Sequence, residues 1–294
     1  MMANQRIPDQ ATVEAAVAAA LRAPAADGLP PAQWRIGHSA LHLYAGRTGI
    51  PDDRAPVLSG GAALHHFRAR LAGSGWATSV ARLPQAGEPG HLAAVTPRPG
   101  QPSGEELALA AAILVRRDDW RPRRGWPVPP SVLLGMAQAA AGAGTLLHEV
   151  TDREVRARLL PRLGLTARHR TRERVLVGGG GLAKRPPARR GGEVATLVLS
   201  TAEDDQLAWL RAGEALSAVL LKATAYGLAS GSSVTVARQA RELLTDRVTA
   251  GRVPQAVLWV GWPEAGEPPG DRLVRAEVAE VLCPLEAPSR YHFR

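Results

Sequence analysis

The chain has 294 residues, a formal net charge of +9, 45% hydrophobic residues and one cysteine, Cys283. That length buries a sizeable core as one large domain or two modest ones, and a single cysteine excludes an internal disulfide and any cysteine-built zinc site. No apolar run reaches the roughly 18 residues that a bilayer span needs, and the opening MMANQRIPDQ lacks the succession of a signal peptide, so a cytoplasmic protein without a membrane partner is expected.

The charge is uneven. Lys184 and Lys222 are the only lysines, and residues 116 to 190 hold 17 Lys/Arg against 6 Asp/Glu. A basic middle of this kind suits a bound phosphate, a polyanion partner or a solvated arginine-rich surface.

In chain order, ATVEAAVAAALRA (11–23) predicts an alanine-rich helix. QWRIG and ALHLYAG flank His38 and Ser39 and predict a hairpin. SGGAALHHFRARLAGSGW (59–76) predicts a helix capped by Ser59 and ended by glycines, with Leu64, Phe67 and Leu71 as its apolar stripe. ATSVARL and HLAAVTP predict two short strands. SGEELALAAAILVRR (103–117) predicts a helix whose serine precedes paired glutamates and whose closing arginines suit the helix dipole.

The second half continues with a helix over PPSVLLGMAQAAAGAG, a strand over TLLHEV, a short helix opened by Thr151 and a buried strand over EVATLVLSTA. DDQLAWLRAGEALSAVLLKATAYG (204–227) is apolar on nearly all sides and predicts a long buried helix. ARQARELL predicts a surface helix, and QAVLWVGW (255–262) a last core strand. Helices and strands interleave without regular βαβ spacing, which predicts an α+β fold. The segment 161–193 is arginine-rich, then glycine-rich, then proline-rich, and is expected to be a mobile excursion between elements.

One internal echo stands out. Gly61-Ala62-Ala63-Leu64 and Gly213-Glu214-Ala215-Leu216 each open a helical stretch, and a glycine follows fourteen residues after the first, at Gly75 and Gly227. This suggests two related lobes in one chain, 1–102 and 103–294.

Among candidate chemistries, the four glycines at 178–181 lack the Gly-Lys-Ser/Thr ending of a phosphate loop and read as a flexible link. His65 and His66 point about 100° apart on a helix, so they do not share a metal and one is expected to face solvent. GHSALHLY lacks the second glycine of a nucleophile elbow, and no metal motif is found. VRRDDWRPRRGW (115–126) carries five arginines around a tryptophan. Arginine forks suit phosphate oxygens, an interleaved aromatic can stack a base, and Asp118 and Asp119 can equally pair with these arginines on the surface.

Five stretches, in order, resemble the nitroreductase superfamily in its Acg-type branch: AALRAP, then ALHLYAG followed by VLSGGAALHHFRARLAGSGW, ILVRRDDWRP, the long helix from LVLSTAEDD to TAYGLA, and PQAVLWVGWP. The resemblance implies an α+β sandwich with two lobes that imitate the family's dimer, and so a monomer. It implies FMN as cofactor, NAD(P)H as hydride donor and a nitro compound, quinone or related small molecule as acceptor, with no nucleic-acid partner expected. It places flavin contacts at Arg22, at Arg116, Arg117 and Arg121, and at Ser230 and Ser232. It designates no catalytic residue and no metal.

The chain departs from that branch. Ala25, Gly28, Pro30 and Ala32 stand where a serine, asparagine, glutamine and tryptophan are usual. Asp118 replaces a threonine or serine and Trp120 an arginine, and an aspartate beside a phosphate repels it. Three functional classes follow: an FMN oxidoreductase with a weakened flavin site, a catalytically silent relative that binds flavin weakly or another ligand, and a partner- or polyanion-binding protein using the basic middle.

Overall fold

The computed structural model describes residues 8–26, 31–46, 53–85, 87–88, 90–119, 126–162, 194–234, 236, 238–263 and 276–284. Its elements are α1 (Gln10–Ala20), β1 (Gln33–Ile36), β2 (Leu41–Tyr44), α2 (Arg54–Gly73), β3 (Trp76–Arg82), β4 (His91–Pro99), α3 (Gly104–Val115), α4 (Pro130–Gly142), β5 (Leu146–Glu149), α5 (Arg153–Arg162) and β6 (Ala195–Thr201). There follow α6 (Gln206–Ala225), β7 (Ala229–Ser233), α7 (Arg238–Arg247), β8 (Val253–Gly261), α8 (Val278–Val281) and β9 (Leu282–Pro284). Helices and strands are mixed as the interleaving predicts, and the fold is α+β. Two compact units result. The first comprises Met1–Val115, Asp205–Ser217 and Asp271–Arg294, and the second Arg116–Asp204 and Ala218–Gly270.

The first unit is a five-stranded sheet in the order β3-β4-β2-β1-β9, antiparallel except where β9 runs parallel to β1. Alternation puts Trp34, Leu41, Leu43, Ala93 and Val95 on one side, where they meet the apolar faces of α1 and α2 in a single core. Trp34 stacks on Phe67 with ring centroids 4.1 Å apart. Each of these fully buried aromatics contributes roughly 1.5–3 kcal/mol of transfer free energy.

Caps fix where the helices begin. Asp9 Oδ1 accepts from Thr12 N–H at α1, and Ser103 with Glu106 makes a reciprocal capping box at α3. At α2 the structure differs from the sequence-based expectation. The cap is Asp53, whose carboxylate accepts from Ala55 N–H at 3.0 Å, not Ser59. Pro56 falls in the first turn, where a missing N–H leaves no intrahelical bond unmade. Ser59 sits a turn inside, and its Oγ accepts from Ala26 N–H at 3.4 Å.

Gly61 and Gly213 lie at the place where α2 and α6 cross. A Cβ on Gly61 would strike the Leu210 carbonyl and the Glu214 nitrogen, and a Cβ on Gly213 would strike the Leu58 carbonyl and the Ala62 nitrogen. Both helices then end at the echoed glycines, Gly75 (φ +85°) and Gly227 (φ +77°), in left-handed conformations that favour glycine.

The second unit is an antiparallel four-stranded sheet in the order β5-β6-β8-β7. Val155 and Leu159 of α5 and Ala240 and Leu244 of α7 cover Val198 and Val257. Helix α7 is thus amphipathic, with one buried stripe. Helix α5 opens on Asp152, which accepts from Glu154 and Val155 N–H, rather than on Thr151. Helix α6 is buried without interruption from Ala212 to Leu221, as its all-round apolar sequence predicts.

Candidate functional site

The arginine motif begins where α3 stops. Val115 is the last helical residue, so Arg116 and Arg117 lie beyond the helix rather than in its last turn. The chain then runs beside the edge strand β7. Asp118 forms a parallel bridge with Ser230, and Asp119 N–H donates to the Ser230 carbonyl at 2.9 Å. Arg116 is buried, and its Nη1 donates to Asp118 Oδ1 at 3.1 Å with the Arg116 side chain 4% exposed. Asp118 is a quarter exposed, so only Arg116 would be left as a charge away from water if its partner were removed.

Ser230 is buried, and among the described residues its hydroxyl has no hydrogen-bond partner; neither has Arg117 Nε. These are groups that an anion could take up. Ser232 lies two residues along the same strand. Gly231, between the two serines, faces the Trp259 indole on β8, which fills the space any side chain there would need. The described residues of this strip therefore fit a phosphate group through Arg117 and Ser230. The Arg116–Asp118 pair works against it by keeping a carboxylate next to Arg117 in sequence and bridged to Ser230.

Arg22 has a different position. It belongs to the first unit, where its Nε and Nη2 donate to the carbonyls of Ile113 and Leu114 at 3.2 and 3.1 Å. A guanidinium there caps the C-terminal carbonyls of α3 and complements its dipole. Arg116, Arg117, Ser230 and Ser232 belong to the second unit, where Asp118 links Arg116 to Ser230. Arg121, Trp120, Gly28, Pro30 and 163–193, with the glycines at 178–181, lie outside the described residues.

Sequence reasoning missed a polar cluster inside the first unit. Glu214 of α6 is buried and takes Arg68 Nη1 at 3.1 Å, Arg82 Nε at 2.6 Å and Arg82 Nη2 at 2.9 Å. One turn on, Ser217 Oγ lies 2.7 Å from Nδ1 of both His65 and His66. One hydroxyl has one proton to give, so one ring accepts from it and the other donates to it. Burial pushes the His65 imidazole down to about 3, with Arg68 adding to the effect. The expectation that one of these histidines faces solvent is therefore corrected: both turn toward α6. A lone carboxylate in the apolar run RAGEALSAVLL was the available signal that α6 meets basic partners.

Among the described residues there is no group of three or more His, Cys, Asp or Glu suited to a metal, and no helix long and apolar enough to cross a membrane.

Fold and strip together define an α+β protein with a buried arginine at a sheet edge. No protein-family model matches the chain. Rv3131 of Mycobacterium tuberculosis (strain H37Rv), which is named as an NAD(P)H nitroreductase, is 34% identical over 95% of this chain and 93% of its own length. Acg of the same organism, named likewise, is 28% identical over 87% and 91%. Among solved structures, a Bacteroides fragilis nitroreductase with bound FMN shares 17% identity at a TM-score of 0.40, covering 56% of this chain and 94% of that one. The NADPH:FMN oxidoreductase of Vibrio harveyi in complex with NAD+ shares 17% at 0.39, covering 56% and 73%. On the extent and identity of the Rv3131 match, the chain belongs to the NAD(P)H nitroreductase family, in its Acg branch.

Proposed function

We propose that this protein is an FMN-associated, nitroreductase-like oxidoreductase with a weakened flavin site. It would use NAD(P)H to reduce nitro compounds, quinones or related acceptors. Family membership supports the reaction class, and the observation that carries the weakened site is the 3.1 Å pair between buried Arg116 and the partly exposed Asp118. Arg117 and the Ser230 hydroxyl would hold the FMN phosphate, joined by Arg121, with Arg116 assisting to the extent that Asp118 releases it. Ser232 and Arg22 complete the set that the resemblance assigns. Bound flavin supplies the hydride chemistry, and the protein's part is to bind and orient it.

The two-lobe arrangement, 1–102 and 103–294, belongs to the same proposal, as do a monomeric state and a cytoplasmic setting. The matching contacts of Gly61 and Gly213 support related lobes.

A second reading, a catalytically silent relative, is favoured by the employment of Arg22 on α3 carbonyls and of Arg116 on Asp118. Titration of the purified chain with FMN and with riboflavin, followed by NAD(P)H oxidation with a nitroaromatic or quinone acceptor, separates the two. The oxidoreductase reading expects saturable FMN binding that excess FMN is needed to maintain, and acceptor-dependent NAD(P)H oxidation. Flavin binding without turnover, or no binding at all, overturns it.

A further inference from the structure

Strand β4 breaks its own alternation. Val95 and Ala93 face the core, and Leu92 does too, because the pairing with β2 shifts between Leu43 and Tyr44. This bulge turns His91 to the opposite side of the sheet, next to Tyr44 and His42; re-aiming one side chain is a recurrent use of bulges. Tyr44 stacks on the His91 ring with centroids 4.6 Å apart, and the Arg35 guanidinium lies over Tyr44 at 4.5 Å. Held in this way, His91 is 3% exposed and His42 is half-buried.

The two imidazoles present nitrogen to nitrogen, His42 Nδ1 lying 3.0 Å from His91 Nε2. The far nitrogen of His91, Nδ1, points at Gln85 Oε1 at 3.3 Å. A proton on Nδ1 toward that carbonyl leaves the Nε2 lone pair toward His42, where it accepts from His42 Nδ1–H until an ion displaces that proton; a second-nitrogen hydrogen bond of this kind is how metal-bound imidazoles fix their tautomer. Two nitrogens bound to one ion at about 2.1 Å and roughly a right angle lie about 3.0 Å apart, the separation found here. Among the described residues, Glu88 supplies an opposite charge close to His91, and Arg35 is a cationic neighbour that a bound cation must tolerate.

The geometry points to a site for one divalent late first-row transition ion, of the Cu2+, Ni2+ or Zn2+ class, held by His42 Nδ1 and His91 Nε2 with water in the remaining positions. Imidazole donors suit these ions, and Cu2+ binds such donors most tightly. The site is independent of the flavin reading.

The test is titration of the full chain, freed of any polyhistidine tag, with Cu2+ and with Zn2+ at neutral pH. Binding is read by calorimetry and by electron paramagnetic resonance of the Cu2+ form. The expected result is one equivalent of Cu2+ with two nitrogen donors, bound more tightly than Zn2+. His42→Asn and His91→Gln each lower Cu2+ affinity at least about tenfold, while His148→Asn, on β5, leaves it unchanged. Circular dichroism of each variant separates loss of a ligand from loss of the fold, and His42→Asn decides alone if His91→Gln is unfolded. No saturable binding by the unaltered chain, or equal affinity in a folded His42→Asn, overturns the site.

Discussion

Gly61 of α2 and Gly213 of α6 hold each other in the same way. Each approaches the backbone carbonyl three residues before the other and the nitrogen one residue after it. The contact is backbone on backbone, so neither side can move aside for a methyl group.

Gly61→Ala and Gly213→Ala are therefore each expected to cost about 3 kcal/mol, at the upper end of overpacking penalties. Gly142→Ala, at the end of α4 with open space around it, is expected to be neutral or to stabilise by up to about 1 kcal/mol. Urea unfolding midpoints of the three variants check this. A Gly61→Ala protein as stable as the parent would show that the helices are free to separate.

Glu214 is the single carboxylate to which Arg68 and Arg82 both point. Glu214→Gln keeps the shape and removes the charge, and is expected to destabilise by about 3 kcal/mol, since two guanidiniums lose their counter-charge. Arg68→Ala leaves both Arg82 bonds in place and should cost only about 1 kcal/mol. Comparable losses in the two variants would mean that Arg68, not Arg82, carries the cluster.

His65 sets a pH dependence. Its folded-state value, near 3, lies below the ordinary 6.5, so between these values the unfolded chain binds the proton and the folded chain does not. Its stabilising contribution is complete above pH 6.5 and is lost as the pH falls toward 3, about 2 kcal/mol having gone by pH 5. Denaturant unfolding at pH 7 and pH 5 should show this loss in the parent and a smaller one in His65→Gln. Identical losses in both would remove His65 as the source.

On the proposed phosphate site, Asp118 would oppose the anion beside Arg116. Asp118→Ser is expected to tighten FMN by about tenfold, the equivalent of one charged contact, and to leave riboflavin, which lacks the phosphate, unchanged. Fluorescence titration with both flavins provides the comparison. An equal gain for riboflavin would place the phosphate away from this strip.

The glycine echo was legible because a close helix crossing excludes a Cβ, and that exclusion is written directly into residue type. The start of α2 was less legible. Asp53 and Ser59 both carry capping side chains, and Pro56 between them reads as a break until the first turn is seen to accommodate it. The shared grip of His65 and His66 on Ser217 depends on a helix more than a hundred residues away, which no local spacing reveals. β7, Ala-Ser-Gly-Ser-Ser, has little strand propensity of its own and exists because β8 offers an edge and Gly231 makes room for Trp259. β9 is three residues long, too short for any alternation to announce it. At the candidate site, the motif located Arg116, but the bridge from Asp118 to Ser230 joins segments that are distant in sequence.

The pairing of Leu282 with Trp34 also bears on how the protein comes to exist in a cell. Strand β1 leaves the ribosome early, yet its neighbour β9 is made only after all of β5 to β8. The N-terminal part of the chain must therefore wait, with one flank of its sheet bare, while later residues are still being added. Such a bare flank invites pairing with strangers. The cost of this architecture falls on biosynthesis, and the speed of translation between β4 and β9 sets how long the exposure lasts.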